Sequence, residues 1–487
     1  MTGAAVMSAT AMIGGDPYPA GKSYEVLDPA TGEVLGTAAD CLATDADVAA
    51  RAAAEAFPAW SALGLDKRRA VLAAAARSLA QRRAELIELA VRDTGALVDV
   101  ATATQVGAAI TRLEQWAAMP ESSLDVPSPP PGSGLTSTVR RVPVGVVACI
   151  SPYNFPLLAM VGKIVPALFA GNSVVMKPAP QDPLLVVALA EALRDGLAEV
   201  GAPAGAVNLL TGESAAVGSA LVNNPAVGAV SFTGSTAVGI QIHRDASDAM
   251  KPLLLELGGK GAVVVRADAD PGVVAASITR TWTVQSGQVC LTPARIIADT
   301  AVHDAVVARL RERLAGLRIG DPHDPATTVG PVISAVQRAK IDDLVRTASA
   351  EGCTVERRED LPARGFFAAP TLVTGCDPEN TIMREEVFGP VLSVMRSNGD
   401  DEAVAAANST RYALTDYVFS ADVGAARSIA RRLRAAQVGI NTTRRHGAAP
   451  FGGNHASGIG RSGGVWSLDH CTTIQAHTEP ETEAGNA

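Results

Sequence analysis

Short apolar runs alternate with longer amphipathic segments through the middle of the chain. We predict buried strands at residues 144–150, 173–177, 206–210, 226–233 and 261–265. Between them we predict a helix at residues 183–199 and another that begins at Val238. Strands that alternate with helices argue for a parallel α/β sheet. A second series of helices and strands follows Asp270 and runs to about Leu468.

The N-terminal region has a different pattern. Two short apolar runs within residues 23–36 are joined by Asp-Pro-Ala-Thr-Gly, which predicts a hairpin. Thr44 and Asp47 have the spacing of a capping box, so a helix is expected to begin there and run through Ala56.

A longer helix is predicted at residues 66–93, and Gly95 is placed to end it. Its apolar positions share one face and comprise Val71, Leu72, Leu79, Leu86, Leu89 and Ala90. Its basic positions predict a solvated face and comprise Lys67, Arg68, Arg69, Arg82 and Arg83.

The proline-rich residues 127–134 interrupt this pattern. Four prolines within eight residues are incompatible with a helix or a central strand. We predict the exposed tip of an arm between two strands. The acidic residues 480–487 are expected to fray.

Composition and charge limit the class of protein. With 487 residues, of which 47% are hydrophobic and 19% charged, the chain is expected to form two or more domains with sizeable cores. A net charge of −9 argues against nucleic acid and against an anionic membrane as partners. Residues 1–16 lack the features of a signal peptide. No run approaches the ~20 apolar residues that a membrane-spanning helix needs.

The six cysteines lie far apart, and none belongs to a Cys-x-x-Cys pair. This spacing suits a reduced, cytoplasmic protein and argues against a disulfide framework or a structural zinc site. We therefore expect no metal.

Cys290 is the first candidate for chemistry. It follows Gly287-Gln288-Val289 and precedes Pro293, in a segment where glycine allows close backbone approach and proline stiffens the chain. A cysteine thiolate is a strong nucleophile when its pKa is lowered. Taken alone, however, a single cysteine is more often a core residue than a catalyst.

Three other stretches offer partners for a nucleophile. The turn at residues 232–239 presents backbone N–H groups and a helix N-terminus to a phosphate, although many such turns use glycine only to bend. Glu256 lies among leucines, where burial would raise its pKa toward that of a general base; otherwise it is a strand-end residue that reaches solvent. Asn154 follows a predicted strand and could donate to an oxyanion or could simply hold a turn.

Seven motifs in the same order together resemble the aldehyde dehydrogenase superfamily across nearly the whole chain. Each motif alone is weak, but their joint occurrence is specific. They are Ser151-Pro152-Tyr153-Asn154-Phe155-Pro156, Met176-Lys177-Pro178, Phe232-Thr233-Gly234-Ser235, Leu255-Glu256-Leu257-Gly258-Gly259-Lys260, Gly287-Gln288-Val289-Cys290, Glu386-Val387-Phe388-Gly389-Pro390 and Pro450-Phe451-Gly452-Gly453.

The resemblance implies oxidation of an aldehyde to a carboxylic acid with NAD or NADP. Cys290 would attack the aldehyde, Asn154 and the Cys290 N–H would form the oxyanion hole, and Glu256 would activate the water that hydrolyses the thioester. The implied catalytic residues are Cys290, Glu256, Asn154 and Lys177. The implied cofactor-binding residues are Ser151, Pro152, Tyr153, Lys177, Pro180, Gln181, Thr233, Gly234, Ser235, Leu257, Gly258, Gln337, Glu386 and Phe388.

Two positions depart from the family pattern. Tyr153 stands where the family commonly has tryptophan, which keeps a flat aromatic side chain in the substrate passage. Pro180 stands where many NAD-preferring members have glutamate. Because proline lacks the carboxylate that would repel a 2′-phosphate, we expect NADP to be usable.

The resemblance also implies a fold and an assembly. We expect a Rossmann-like cofactor domain at residues 1–119 and 143–257, and an α/β catalytic domain at residues 258–468. Residues 120–142 and 469–487 would form a small β oligomerisation arm and a tail. The expected assembly is a homodimer or homotetramer, because an exposed strand is a template for pairing.

Two other functions compete with hydrolytic oxidation. A CoA-acylating relative would pass the acyl group to CoA, but such relatives usually lack the glutamate present at Glu256. A non-catalytic protein on the same fold would be expected to lack Cys290, Glu256 or Asn154. The substrate stays open. Arg444 and Arg445 should border the entrance in this family and could receive an acidic substrate or be plain surface charge; surface charge is favoured, because Leu291, Tyr153 and Leu158 indicate an apolar passage.

Overall fold

A computed structural model describes residues 7–481. Its strands are β1 (Met7–Ala9), β2 (Ala11–Ile13), β3 (Asp16–Tyr18), β4 (Ser23–Leu27), β5 (Val34–Ala39), β6 (Leu135–Pro143), β7 (Val146–Ile150), β8 (Ser173–Lys177), β9 (Val207–Leu209), β10 (Val227–Thr233), β11 (Leu253–Glu256), β12 (Ala262–Val265), β13 (Arg295–Asp299), β14 (Thr354–Arg357), β15 (Thr371–Thr374), β16 (Val391–Ser397), β17 (Tyr412–Ala413), β18 (Thr415–Phe419), β19 (Gln437–Ile440), β20 (Asn454–His455), β21 (Gly458–Ile459) and β22 (Thr472–Pro480).

Helices cover most of the remaining chain. They are α1 (Ala43–Ala62), α2 (Leu65–Gln81), α3 (Arg83–Thr94), α4 (Val98–Val100), α5 (Ala108–Ala117), α6 (Pro156–Ala170), α7 (Leu184–Glu199), α8 (Ala215–Asn223), α9 (Thr236–Asp245), α10 (Pro271–Trp282), α11 (Thr300–Ala315), α12 (Ala335–Ala350), α13 (Thr381–Arg384), α14 (Asp400–Ala407) and α15 (Val423–Ala430). A π-helical segment, Ala101–Gly107, joins α4 to α5.

The first large sheet has the order β21-β11-β10-β7-β8-β9-β2-β3, and its five central strands are parallel. Successive residues of β7 enter opposite cores: Val147 and Cys149 pack on the side of α6 and α7, and Val146 and Ala148 on the side of α1 and α8. Because both faces are covered by helices, the strand is apolar at every position.

The second large sheet has the order β14-β15-β16-β13-β12-β18-β19 and is parallel except at β14. The chain crosses into it directly after Glu256, since β11 belongs to the first sheet and β12 to the second. Residues 261–265, predicted as a fifth strand of the first series, therefore lie in this other sheet.

A two-stranded ribbon stands apart from both sheets. β6 pairs with β22 in antiparallel register from Thr472↔Pro143 to Pro480↔Leu135. The proline-rich loop before β6 is exposed as predicted, but a 3-10 helix, Glu121–Leu124, precedes it instead of a strand.

Two helix predictions need correction. α1 begins at Ala43, because the Asp45 carboxylate accepts a hydrogen bond from the Leu42 N–H (2.7 Å), and the expected Thr44–Asp47 box does not form. The helix predicted at residues 66–93 is broken at Arg82, and the apolar stripe conceals the break because α2 and α3 face the same core.

One residue of the predicted basic face is also misplaced. Arg68 is buried, and its Nη1 donates to the Ser61 carbonyl (3.1 Å). Gly95 ends α3 in the left-handed conformation, as predicted.

No helix within residues 7–481 is long and apolar enough to cross a membrane. Residues 1–6 and 482–487, which include most of the expected acidic tail and the start of the segment searched for a signal peptide, lie outside the described residues. The division into cofactor domain, catalytic domain and arm stays a prediction.

Candidate active site

The loop that carries Cys290 has an unusual backbone. Gln285, Ser286 and Gly287 have consecutive positive φ angles of 48°, 54° and 74°. Such angles are costly for residues with a Cβ, so the surrounding contacts must hold them. The Gln285 amide donates to the Thr94 carbonyl (3.0 Å), and the Ser286 hydroxyl donates to the Gly330 carbonyl (2.8 Å).

Gly287 allows this loop to approach its neighbour. A Cβ at this position would lie 2.2 Å from the Gly389 carbonyl oxygen, a distance that only a glycine avoids. The loop is therefore seated against the segment that contains Glu386 and Phe388.

Cys290 is half-buried at the end of this loop. Burial raises the pKa of its thiol to about 12, and the nearby carboxylates of Glu256 and Glu386 contribute less in the same direction. The backbone N–H groups of Cys290 and Leu291 oppose this shift. The thiol is thus neutral at pH 7 in this arrangement and needs a base to become a nucleophile.

Asn154 lies beside the same loop. Its Nδ2 donates to the Gln288 carbonyl (2.7 Å), two residues before Cys290. Its own carbonyl accepts from Nε2 of Gln105 (2.8 Å), a buried residue of the π-helical segment. The π-helical turn thus holds the backbone of the predicted oxyanion-hole residue. Sequence reasoning missed Gln105, because a π-helical turn has no distinct periodicity in sequence.

Glu256 is buried at the end of β11. Its Oε1 accepts from the Ser462 hydroxyl (2.8 Å), and within residues 7–481 its buried Oε2 has no partner. Burial raises the pKa of Glu256 to about 7, against the lowering effects of Ser462, Lys163, Arg461 and Arg445. An acid with this pKa can gain or lose a proton at neutral pH, which suits a general base.

Lys163 is a buried cation that sequence reasoning did not single out. Its Nζ donates to the Thr233 hydroxyl (2.7 Å) and lies 3.4 Å from the Ser231 hydroxyl. Burial lowers the pKa of Lys163 to about 8, while Glu256 opposes the shift. The available signal was a lone lysine in the otherwise apolar α6.

Lys177 ends the neighbouring strand β8. Its buried Nζ donates to the carbonyls of Pro178 (3.1 Å) and Gly212 (3.3 Å), and burial lowers the pKa of Lys177 to about 8. Ser151 follows β7, and its buried hydroxyl has no protein partner within residues 7–481. Pro152 adjoins it in the chain. Both strand ends therefore offer polar groups at the same edge of the sheet.

The turn after β10 leads into α9. The Gly234 N–H donates to the Glu256 carbonyl (3.1 Å), and the Ser235 hydroxyl caps the helix at the Val238 N–H (3.4 Å). A Cβ on Gly239 would lie 2.4 Å from Cδ2 of Leu257, so the helix packs directly on the segment after Glu256.

Glu386 faces that same segment. Its Oε1 accepts from the Gly259 N–H (2.8 Å), and a Cβ at Gly258 would lie 2.4 Å from its Oε2. Burial raises the pKa of Glu386. Gly258 thus leaves space for the Glu386 carboxylate, and Gly259 donates a hydrogen bond that positions it.

Phe388 has a positive φ of 55° and packs edge-to-face on Tyr153, with ring centroids 5.8 Å apart. Nε2 of Gln337 donates to the carbonyls of Val387 (3.1 Å) and Phe388 (2.9 Å). Gln337 therefore holds the backbone that aims the Phe388 ring.

Pro180 and Gln181 lie beyond Lys177. Pro180 is half-buried and Gln181 is exposed. Within the described part of the chain, no hydrogen bond joins the Gln181 side chain to the other predicted site residues.

A cysteine, an adjacent amide and a buried carboxylate with a pKa near neutrality are the parts of an enzyme that forms and hydrolyses an acyl-thiol intermediate. The model of the aldehyde dehydrogenase family matches residues 18–477. The chain belongs to this family, and it is an enzyme that oxidises an aldehyde to a carboxylic acid. This confirms the resemblance and the predicted α/β fold.

Known relatives cover nearly the whole chain. Geranial dehydrogenase of Castellaniella defragrans is 36% identical over 446 residues, which are 91% of this chain and 92% of that protein. HpcC from Thermus thermophilus is 34% identical with a TM-score of 0.93, covering 99% of this chain and 95% of its own. Betaine aldehyde dehydrogenase from Staphylococcus aureus, solved in complex with NAD+, is 31% identical with a TM-score of 0.91, covering 98% and 95%.

Proposed function

We propose that this enzyme oxidises its aldehyde with NAD(P)+ through a thioester on Cys290 that water hydrolyses. One observation carries the proposal. The buried Glu256 lies close enough to Cys290 to raise the pKa of its thiol, and burial raises the pKa of Glu256 itself to about 7. A nucleophile and a base tuned to neutral pH thus share one cleft.

The residues around Lys177 fit a nicotinamide dinucleotide. Among residues 7–481 the buried Ser151 hydroxyl has no hydrogen-bond partner, and a bound group would supply one. The capped N-terminus of α9, at Ser235, favours a phosphate. Lys177, Glu386 and Gln337 would bind or border the ribose groups of the cofactor. The remaining predicted cofactor residues lie at or just after the ends of β7, β8, β10 and β11, or beside Glu386. A bound NAD(P)+ accepts the hydride of the oxidation.

The residues of the chain supply the other steps. A base removes the Cys290 proton, and Sγ bonds to the aldehyde carbon. The Asn154 amide and the Cys290 N–H stabilise the resulting oxyanion. After oxidation, Glu256 takes a proton from water, the hydroxide attacks the thioester, and the acid leaves as Sγ recovers its charge.

Two further parts of the proposal concern setting and assembly. We place the enzyme in the cytoplasm, which is supported by six cysteines that are all free. We also propose a homodimer or homotetramer assembled through the β6–β22 ribbon.

The test is a rapid-mixing experiment with an aldehyde. The parent should release a burst of about one NAD(P)H per subunit before steady state, if deacylation is the slower step. Cys290→Ala should give neither burst nor turnover but should still bind the cofactor. Normal turnover by this variant would remove the proposal.

Product analysis separates hydrolysis from CoA acylation. The presence of Glu256 favours hydrolysis, so the free acid should form at the same rate with and without CoA. Formation of an acyl-CoA in place of the acid would favour the CoA-acylating alternative.

A further inference from the structure

Arg445 is not the surface charge that its place in an arginine-rich loop suggests. It is half-buried, whereas its neighbour Arg444 is exposed. Its guanidinium lies over the Phe451 ring, 4.9 Å from the centroid, and its Nη2 donates to the Ala449 carbonyl (2.7 Å). Its Nε is buried and has no hydrogen-bond partner within residues 7–481. Arg445 is thus partly shielded from water, while its Nε–H makes no hydrogen bond to these residues.

Arg445 also lies at the reacting centre. Phe451, beneath its guanidinium, exchanges two backbone hydrogen bonds with Ser462 (both 2.7 Å). Ser462 is the residue whose hydroxyl donates to Glu256. Burial lowers the pKa of Arg445, and the carboxylate of Glu256 opposes that effect. The hydrogen bonds from Phe451 to Ser462 and from Ser462 to Glu256 thus connect the segment beneath the guanidinium to the predicted general base.

A second arginine lies on α5, against the helix that follows Asn154. Arg112 projects from α5, and its Nη1 lies 3.4 Å from the Leu158 carbonyl of α6. A Cβ at Gly162 would lie 2.6 Å from this nitrogen, so the glycine provides the space that the guanidinium fills. Burial lowers the pKa of Arg112, and the charge of Arg445 contributes less in the same direction.

The charge of Arg445 thus reaches Arg112, which places the two guanidiniums in one region. Within residues 7–481, neither Arg112 nor Arg445 has a carboxylate within salt-bridge distance. One oxygen of Glu256, whose charge acts on Arg445, accepts the hydrogen bond from Ser462. Juxtaposed and partly buried like charges are unfavourable unless an anion joins them.

We propose that Arg112 and Arg445 bind a carboxylate at the far end of the substrate, so that the enzyme prefers ω-carboxylated aldehydes to neutral ones. Guanidinium groups match the geometry of a carboxylate. When the carboxylate is bound there, the aldehyde end of the substrate is oriented toward Cys290. This inference rests on the proposed function, since it names the substrate class of the same site.

The test compares aldehydes that differ only in the distal carboxylate. Succinic, glutaric and adipic semialdehydes are each paired with the alkanal of the same chain length, and kcat/KM is measured for each. The parent should prefer at least one semialdehyde by about 10-fold or more. Arg445→Gln and Arg112→Gln should each lower kcat/KM for that semialdehyde by about 10²-fold and change the alkanal far less.

Arg444→Gln is the matched control, because it removes the same charge from the adjacent exposed position. It should leave the preference unchanged, and an equal loss in this variant would overturn the proposal. Preference of the parent for the alkanal in all three pairs would also overturn it, while an NAD(P)H burst with the alkanal would leave the proposed function standing. No NAD(P)H formation with any aldehyde would remove both.

Turnover of the alkanal reports whether each variant is folded. If an arginine variant loses that turnover too, the parent alone decides the question. Adipate should then inhibit the parent more strongly than hexanoate, and equal inhibition would overturn the proposal.

Discussion

The pKa of Glu256 gives the residue-level prediction. Glu256→Gln should preserve the first-turnover burst and slow the steady state by roughly 10²–10⁴, because the base for deacylation is lost. In the parent, the burial-raised pKa of about 7 means that deacylation should rise as pH passes through 7 and level off above it. The variant should lack this ionisation in stopped-flow and steady-state pH profiles.

The alternative outcomes separate two roles of the same carboxylate. An unchanged steady-state rate would exclude Glu256 as the base. Loss of the burst as well would show that it activates Cys290, whose thiol, with a pKa of about 12, also needs a proton acceptor.

At the level of residues, the sequence predicted identities better than it predicted environments. Cys290, Glu256 and Asn154 were singled out because local motifs mark them, and their catalytic roles stay predictions. Lys163, Gln105, Ser462 and the half-buried state of Arg445 could not be read from sequence, because each depends on which distant segment packs against it. Burial and partner choice are tertiary properties.

At the level of elements, the strand–turn segments of the first sheet followed the pattern closely. Alternation placed β7, β8 and β10 to within about two residues because these strands are buried on both faces and contain few polar interruptions. The break between α2 and α3 was missed because both helices face one core. The strand pattern alone did not separate β12 from the first sheet, because local apolar character does not specify a strand's neighbour. The domain division implied by the family resemblance had already put residues 261–265 in the catalytic domain.

The segment after β8 gives the prediction at the element level. Pro180 offers no carboxylate to the adenosine ribose, so NADP should be usable and Lys177 could pair with its 2′-phosphate. Pro180→Glu should lower kcat/KM for NADP by about 10-fold or more relative to NAD, through repulsion between the two negative charges.

Pro180→Ala is the control, because it removes the proline without adding a charge, and it should leave the NADP/NAD ratio nearly unchanged. Specificity constants for both cofactors in the three proteins decide the matter. A parent that already rejects NADP by several orders of magnitude would show that another residue sets the preference.

At the scale of the whole molecule, the β6–β22 ribbon supports the proposed assembly with a second copy of the chain. An isolated two-stranded ribbon is only marginally stable in water, and an uncovered strand edge invites pairing. β22 is exposed at every residue after Thr472, and it presents Ile474 (52% exposed) opposite a strand that presents Leu135 (44%). The prolines predicted an exposed arm, the family resemblance paired it with the C-terminal segment, and the structure gives the register of that pairing.

Ile474→Asp should therefore dissociate the assembly, because a charge would have to be buried where an apolar side chain is expected to meet the partner. Light scattering after size exclusion should give a lower mass than the parent, with an unchanged far-UV spectrum. Met250→Asp, which changes another exposed apolar residue (89%) outside the ribbon, should keep the parent's mass. A monomeric parent, or equal masses for the parent and Ile474→Asp, would mean that the ribbon is not the assembly surface.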